Sequence, residues 1–125
     1  MEIDRMLAAD APPIMAILRG VKPEEAVAIA AALVDAGIRL IEVPLNSPDP
    51  FASIRLLQEA FGTVACIGAG TVVTAESVEA LAASGATLMV SPNTDPALIA
   101  LALARGLQPM PGFLTPSEAC AAIGG

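Results

Sequence analysis

The chain has 125 residues, 55% of them apolar, which limits it to one domain, or part of one, with enough hydrophobic mass for a core. Thirteen acidic against six basic residues leave a net charge of −7, and the only aromatics are Phe51, Phe61 and Phe113; an acidic chain without stacking platforms is a poor nucleic-acid binder. Histidine is absent, which excludes Ser–His and Cys–His triads and histidine-ligated metal within these residues.

Cys66 and Cys120 have no Cys-x-x-Cys spacing and read as small reduced residues, so a cytoplasmic setting is expected. No stretch of about 20 uninterrupted apolar residues predicts a membrane span. The opening MEIDRMLAADAPP has no basic region followed by an apolar run, so no secretory leader is expected.

In chain order, an apolar run at 13–18 predicts a first strand. A helix follows from Pro23, whose fixed φ suits the first helical position, with Glu24 and Glu25 at the positive end of the dipole. Val27, Ala30, Ala31 and Val34 are expected to form its buried face, and Gly37 to stop it. The second strand is placed at 38–43. Asp49-Pro50 opens a helix presenting Phe51, Ile54, Leu57 and Phe61, ended by Gly62. A strand at 64–67 leads to a helix from Thr74 to Gly85, with Val78 and Leu81 inward. A strand at 87–90 leads to a helix from Asp95-Pro96 to Gly106, with Leu98, Ile99 and Ala102 inward. The last strand, 107–110, precedes the capping-box pattern Thr115-Pro116-Ser117-Glu118 and a helix running to Gly124.

The strands do not alternate between apolar and polar residues, as expected of parallel strands covered on both faces. The chain therefore reads as α/β, a single domain over 1–125 built from five similar βα units. Two architectures accept five units. An open doubly wound sheet would be complete at this length, and pattern alone favours it. A (β/α)8 barrel takes about 250 residues, so only its first five units would be present. Both architectures put their chemistry at the carboxyl ends of the strands.

Five segments occupy those ends. Arg19 follows the first strand and offers a planar cationic fork for a carboxylate or phosphate, or is a plain turn arginine. Glu42 lies inside the apolar second strand, where a carboxylate is costly unless paired. It is read either as a partner of Arg39 or of a backbone donor, or as a proton-transfer group with a raised pKa; the second reading is favoured. Gly68-Ala69-Gly70-Thr71 lacks the third glycine of a dinucleotide fingerprint and the Gly-Lys-Ser/Thr of a P-loop, so by spacing it reads as a tight turn. Ser91-Pro92-Asn93-Thr94 and Pro111-Gly112-Phe113 are ordinary turns or the walls of a small pocket. Met89 and Met110 read as core gap-fillers, and Lys22, among Pro23, Glu24 and Glu25, as a solvated surface lysine.

Taken in order, Ile17-Leu18-Arg19-Gly20, Ile41-Glu42-Val43-Pro44-Leu45-Asn46-Ser47-Pro48, Gly68-Ala69-Gly70-Thr71-Val72, Ser91-Pro92-Asn93, Pro111-Gly112 and Thr115-Pro116-Ser117-Glu118-Ala119 resemble the bacterial 2-keto-3-deoxy-6-phosphogluconate and -galactonate aldolases, over essentially the whole chain. The Glu42 to Pro48 segment looks most like the phosphogalactonate branch. The resemblance implies a (β/α)8 barrel, usually a homotrimer, acting as a class I aldolase without metal or cofactor. A lysine forms a Schiff base with a phosphorylated keto sugar acid, and cleavage gives pyruvate and glyceraldehyde 3-phosphate. It also implies roles for residues here: Glu42 as the general acid/base, Arg19 and Thr71 as substrate-binding residues, Pro92 as a pocket wall, and Asn46 as a contact to sugar-acid hydroxyls. In the family the Schiff-base lysine lies on strand six, in a Lys-hydrophobe-Phe-Pro segment, and the phosphate site follows strands seven and eight. No such segment occurs among these residues, so they are expected to form no Schiff base alone. The rival expectations are a phosphogluconate or 4-hydroxy-2-oxoglutarate aldolase, and a non-catalytic oligomeric scaffold.

Overall fold

The computed structural model describes residues 2–8 and 11–124. Met1, Ala9, Asp10 and Gly125, which entered the readings of the two chain ends, lie outside the described residues. In order, the elements are α1 (Glu2–Ala8), β1 (Met15–Ile17), α2 (Pro23–Asp35), β2 (Leu40–Pro44), α3 (Pro50–Phe61), β3 (Cys66–Gly70), α4 (Ala75–Ala83), β4 (Leu88–Ser91), α5 (Pro96–Ala104), β5 (Gln108–Pro111) and α6 (Pro116–Gly124).

The helix starts follow from local chemistry. Proline opens α2, α3, α5 and α6, where no N–H is needed. Thr74 Oγ1 accepts from the Ser77 N–H at 3.2 Å, and Asp95 Oδ1 accepts from the N–H groups of Ala97 and Leu98. At α6 the expected capping box forms in both directions: Thr115 Oγ1 accepts from the Glu118 N–H, and Glu118 Oε1 from the Thr115 N–H. Gly37, Gly85 and Gly106 have positive φ just past their helices, as a left-handed stop requires.

All five strands are parallel and lie in the order β1-β2-β3-β4-β5. A doubly wound sheet reverses direction at a switch point. Strictly sequential order with right-handed crossovers instead puts every crossover helix on the same side. The open sheet that pattern alone favoured is therefore replaced by the barrel type of winding.

The two faces of the sheet consequently differ. Ile41, Val43, Ile67, Ala69 and Met89 point to the helices and join Ile54, Leu57, Val78, Leu81, Leu98 and Ala102 in the main core. The opposite face carries a separate small cluster of Leu40, Cys66 and Leu88. Ile3 of α1 and Met15 pack against it, so α1 covers this face at the amino ends of the strands. The inward faces expected for α3, α4 and α5 are seen. In α2 the buried residues are Ala26 and Ala30, while Val27 is exposed: the face is rotated so that small residues meet the sheet. Met89 is buried as expected, but Met110 is exposed because β5 is an edge strand.

Among the described strands, β1 and β5 each have one neighbour. Both edges present apolar side chains to solvent, with Ile17 of β1 58% exposed and Leu114 and Ile123 97% and 88% exposed after β5. Unpaired strand edges with apolar cover missing are association sites. These residues alone are expected to self-associate, with a sedimentation coefficient that rises with concentration; a concentration-independent monomer would contradict this.

Candidate active site

Glu42 sits in the middle of β2, paired in register with Ile17 of β1 and Gly68 of β3. Side chains alternate along a strand, so Glu42 points with Leu40 to the face away from the core helices. It is only 3% exposed, and its Oε2 has no hydrogen-bond partner among the described residues. Burial pushes its carboxyl above the ordinary glutamate range, and the Arg19 guanidinium pulls partly the other way. Arg39 is not its partner: Arg39 Nη1 donates to the carbonyls of Val34 and Ile38 at 2.9 and 3.0 Å, closing the end of α2.

The glycines of β3 make room for this arrangement. A side chain on Gly70 would run into the Glu42 carboxylate, and one on Gly68 into the backbone and Cβ of Leu88. The segment read as a tight turn is thus a strand interior, and the turn begins at Thr71. Thr71 follows at φ 57°, in the left-handed region, where a residue with a Cβ costs about 1–2 kcal/mol. Such conformations concentrate where the surrounding structure uses them.

Arg19 stands on the loop after β1. Its Nη1 donates to Asn46 Oδ1 at 3.0 Å, joining the loops after β1 and β2. The backbone adds a second link at the strand end, from the Leu18 N–H to the Glu42 carbonyl at 2.9 Å. The Leu45 N–H donates to the Gly70 carbonyl at 2.9 Å, which ties the loop after β2 to the end of β3. Glu42, Arg19, Asn46 and the start of the Thr71 turn are therefore gathered at the carboxyl ends of β1 to β3.

Pro92 lies apart from this group, exposed at the end of β4, two strands from β2. A side chain on Gly112 would meet the Pro92 carbonyl, so the loops after β4 and β5 touch there. The Ser91 hydroxyl donates to the Asn93 carbonyl, as in an ordinary turn, while the Thr94 hydroxyl donates to the Gly112 carbonyl and ties the loops after β4 and β5 together. Lys22 is exposed at the start of α2, with Glu25 Oε1 accepting from its backbone N–H, in keeping with a surface role. Arg19 itself lines a hollow on the α2 side, with Ile17, Leu18, Gly20, Val21, Glu25 and Ile29; Glu42 does not line it.

Sequence reasoning assigned no role to Ser47 or to the spatial fit of Gly70. The signal for Gly70 was available as a Gly-x-Gly repeat on a strand beside a buried acid. Ser47 gave none, since serine after a strand is common turn chemistry.

Residues 4–124 match the family model for KDPG and KHG aldolase. The chain is 54% identical over 110 residues to a probable 2-dehydro-3-deoxy-6-phosphogalactonate aldolase of Rhizobium meliloti (strain 1021), covering 88% of this chain and 52% of that protein. A native KDPGal structure superposes with a TM-score of 0.88 at 44% identity, over 90% of this chain and 55% of the other. A KDPG aldolase from Legionella pneumophila, solved with pyruvate captured as a covalent carbinolamine, superposes with a TM-score of 0.82 at 30% identity, over 91% and 55%. The chain spans about half the length of the relatives it matches.

Proposed function

Because the chain belongs to the KDPG and KHG aldolase family, we propose that it is the N-terminal five βα units of a barrel that cleaves 2-dehydro-3-deoxy-6-phosphogalactonate to pyruvate and glyceraldehyde 3-phosphate. The single observation that carries this reading is the buried Glu42 carboxyl, facing away from the helices with its Oε2 unpartnered among the described residues and Arg19 acting on it. A carboxyl held above its usual range keeps its proton to higher pH and is suited to give and take one.

In this reading one carboxyl serves every proton step. When a lysine amine adds to the C2 carbonyl, protonated Glu42 delivers a proton to the carbinolamine oxygen, which leaves as water. The resulting carboxylate removes the proton of the C4 hydroxyl as the C3–C4 bond breaks, giving the aldehyde and an enamine. Glu42 then returns that proton to C3, and water releases pyruvate from the iminium. Arg19 uses one of its five N–H donors on Asn46 and presents others to the substrate carboxylate. Thr71 supplies a hydroxyl at the same strand ends, Pro92 walls the pocket from the β4 side, and Asn46 orients Arg19 as well as contacting substrate hydroxyls. The Schiff-base lysine and the phosphate loops belong to the remaining barrel units. The carbinolamine captured in the Legionella pneumophila relative supports Schiff-base chemistry. The higher identity to the phosphogalactonate relative supports that substrate over its phosphogluconate epimer. A cytoplasmic homotrimer acting in galactonate breakdown fits the same reading.

The test uses these residues alone and co-expressed with the C-terminal half of the Rhizobium meliloti relative. Alone, borohydride and labelled pyruvate are expected to leave no stable adduct. The copurified pair is expected to release pyruvate from the phosphogalactonate substrate faster than from its epimer. A copurified pair that turns over neither substrate would overturn the reading, and an adduct on the isolated chain would redirect it to Lys22.

A further inference from the structure

Beyond the residues that touch substrate in that reading, the loops after β1 and β2 hold a buried hydroxyl with a defined task. Ser47 is 6% exposed, and its Oγ accepts from the backbone N–H of Gly20 at 3.0 Å. Its own N–H donates to the Pro44 carbonyl at 3.0 Å, closing a four-residue turn directly after β2. Across from it, residues 18–21 form a second four-residue turn, closed by the Val21 N–H on the Leu18 carbonyl at 3.2 Å. Gly20 occupies the third position of that turn at φ 81°, a conformation glycine takes without strain. Arg19 is the second residue of the same turn.

The two turns are thus joined at consecutive positions: Asn46 to Arg19 through a side-chain bond, and Ser47 to Gly20 through a side-chain to backbone bond. The Asn46–Arg19 bond is exposed and competes with water, while the Ser47–Gly20 bond is partly buried. A partly buried bond to a backbone group resists exchange with solvent better than an exposed one between two side chains. The backbone bond from the Leu18 N–H to the Glu42 carbonyl ties the first residue of the turn to β2, and the Ser47 bond adds a hold on its third residue, next to Arg19.

We propose that Ser47 is a positioning residue: by holding the Gly20 amide, it sets the 18–21 turn against β2 so that the Arg19 guanidinium faces Glu42. The proposal rests on the reading of Glu42 and Arg19 as one site. The flanking strands Met15–Ile17 and Cys66–Gly70 carry no charged side chain, the Cys66 thiol being the titratable group on the β3 side. Arg19 offsets the effect of burial on Glu42, and α1, which covers the amino end of the same face, carries Asp4 and Arg5. Displacing Arg19 removes the influence that offsets burial, so the Glu42 titration reports where Arg19 is.

The experiment follows the Glu42 side-chain carboxyl carbon by NMR across pH, in the chain itself and in four variants. Arg19→Ala is expected to raise the Glu42 midpoint and sets the full range. Ser47→Ala is expected to raise it by at least half of that range and to expose the Gly20 amide to hydrogen exchange. Ser47→Thr, which keeps the hydroxyl, is expected to restore the original midpoint. Ser47→Cys keeps the volume, weakens the acceptor and reads the same shift should the alanine variant not fold. If Arg19→Ala moves Glu42 while Ser47→Ala and Ser47→Cys only lower the melting temperature, Ser47 is a structural residue and the proposal fails with the site intact. If Arg19→Ala leaves Glu42 unmoved, the Arg19–Glu42 site itself is wrong and the proposal falls with it.

Discussion

Gly68→Ala is expected to lower the stability of the chain by about 3 kcal/mol, whereas Gly70→Ala displaces a side chain and costs less. The two glycines lie two residues apart on β3 and face the same way, but they meet different neighbours. At Gly68 the added carbon runs into the carbonyl and Cβ of Leu88, its register partner on β4. Backbone cannot rotate aside, so the β3–β4 pair must spread, and Leu88 loses its packing with Leu40 and Cys66. At Gly70 the added carbon meets the end of the Glu42 side chain, which can swing away at the expense of its position. A double-mutant cycle separates the two cases. Gly70→Ala and Glu42→Ala should be coupled, the pair costing about 1 kcal/mol less than the sum of the single changes. Gly68→Ala, whose clash is with Leu88 rather than with the Glu42 side chain, should show the weaker coupling to Glu42→Ala. Urea melts at one fixed protein concentration read all five differences from the parent, because self-association would otherwise shift them. A Gly68 variant as stable as the parent would mean that β3 and β4 are not packed as described.

These glycines also show where sequence reasoning stopped. The third strand was expected at 64–67 and lies at Cys66–Gly70. Glycine weakens a strand interior, so Gly68-Ala69-Gly70 reads locally as a turn. The reason for glycine there is the Leu88 backbone and the Glu42 carboxylate, which are distant in sequence. Helix ends were legible because their causes are local: the prolines at 23, 50, 96 and 116, the caps at Thr74 and Asp95, and the Thr115–Glu118 box. The short α1 was not anticipated, since its seven residues are held by the contact of Ile3 with Leu40, Cys66 and Leu88 rather than by a pattern of their own. Barrel and open-sheet winding share every local signal and differ in the side on which each crossover passes, which only the strand order reveals. At the site, Glu42 was legible because a carboxylate in an apolar strand needs a reason. Pro92 was read as an ordinary turn or a pocket wall, and the resemblance chose the second; it lies at the end of β4, two strands from Glu42.

Replacing Glu42 by Gln is expected to separate stability from activity. The folded-state pKa of Glu42 lies above its ordinary value of 4.5 because burial disfavours the charged form. Below the unfolded value the carboxyl is neutral in both states, and ionisation adds nothing against folding. As the pH rises past 4.5, the unfolded chain gives up its proton while the folded chain keeps it, so the native state loses stability until the folded pKa is passed. The glutamine variant has no such loss. Wild-type stability relative to Glu42→Gln should therefore fall between pH 4 and pH 7, whatever the difference is at pH 4. The same change should reduce turnover in the assembled barrel by about 100- to 10,000-fold, because an amide neither gives nor accepts the protons that the cleavage requires. Denaturant melts at the two pH values and a pyruvate-release assay measure both effects. A wild-type chain that gains on the variant with rising pH would mean that the ionised carboxylate has a partner in the native state. Glu42 would then be a structural ion rather than a held proton, and it could not supply the acid step.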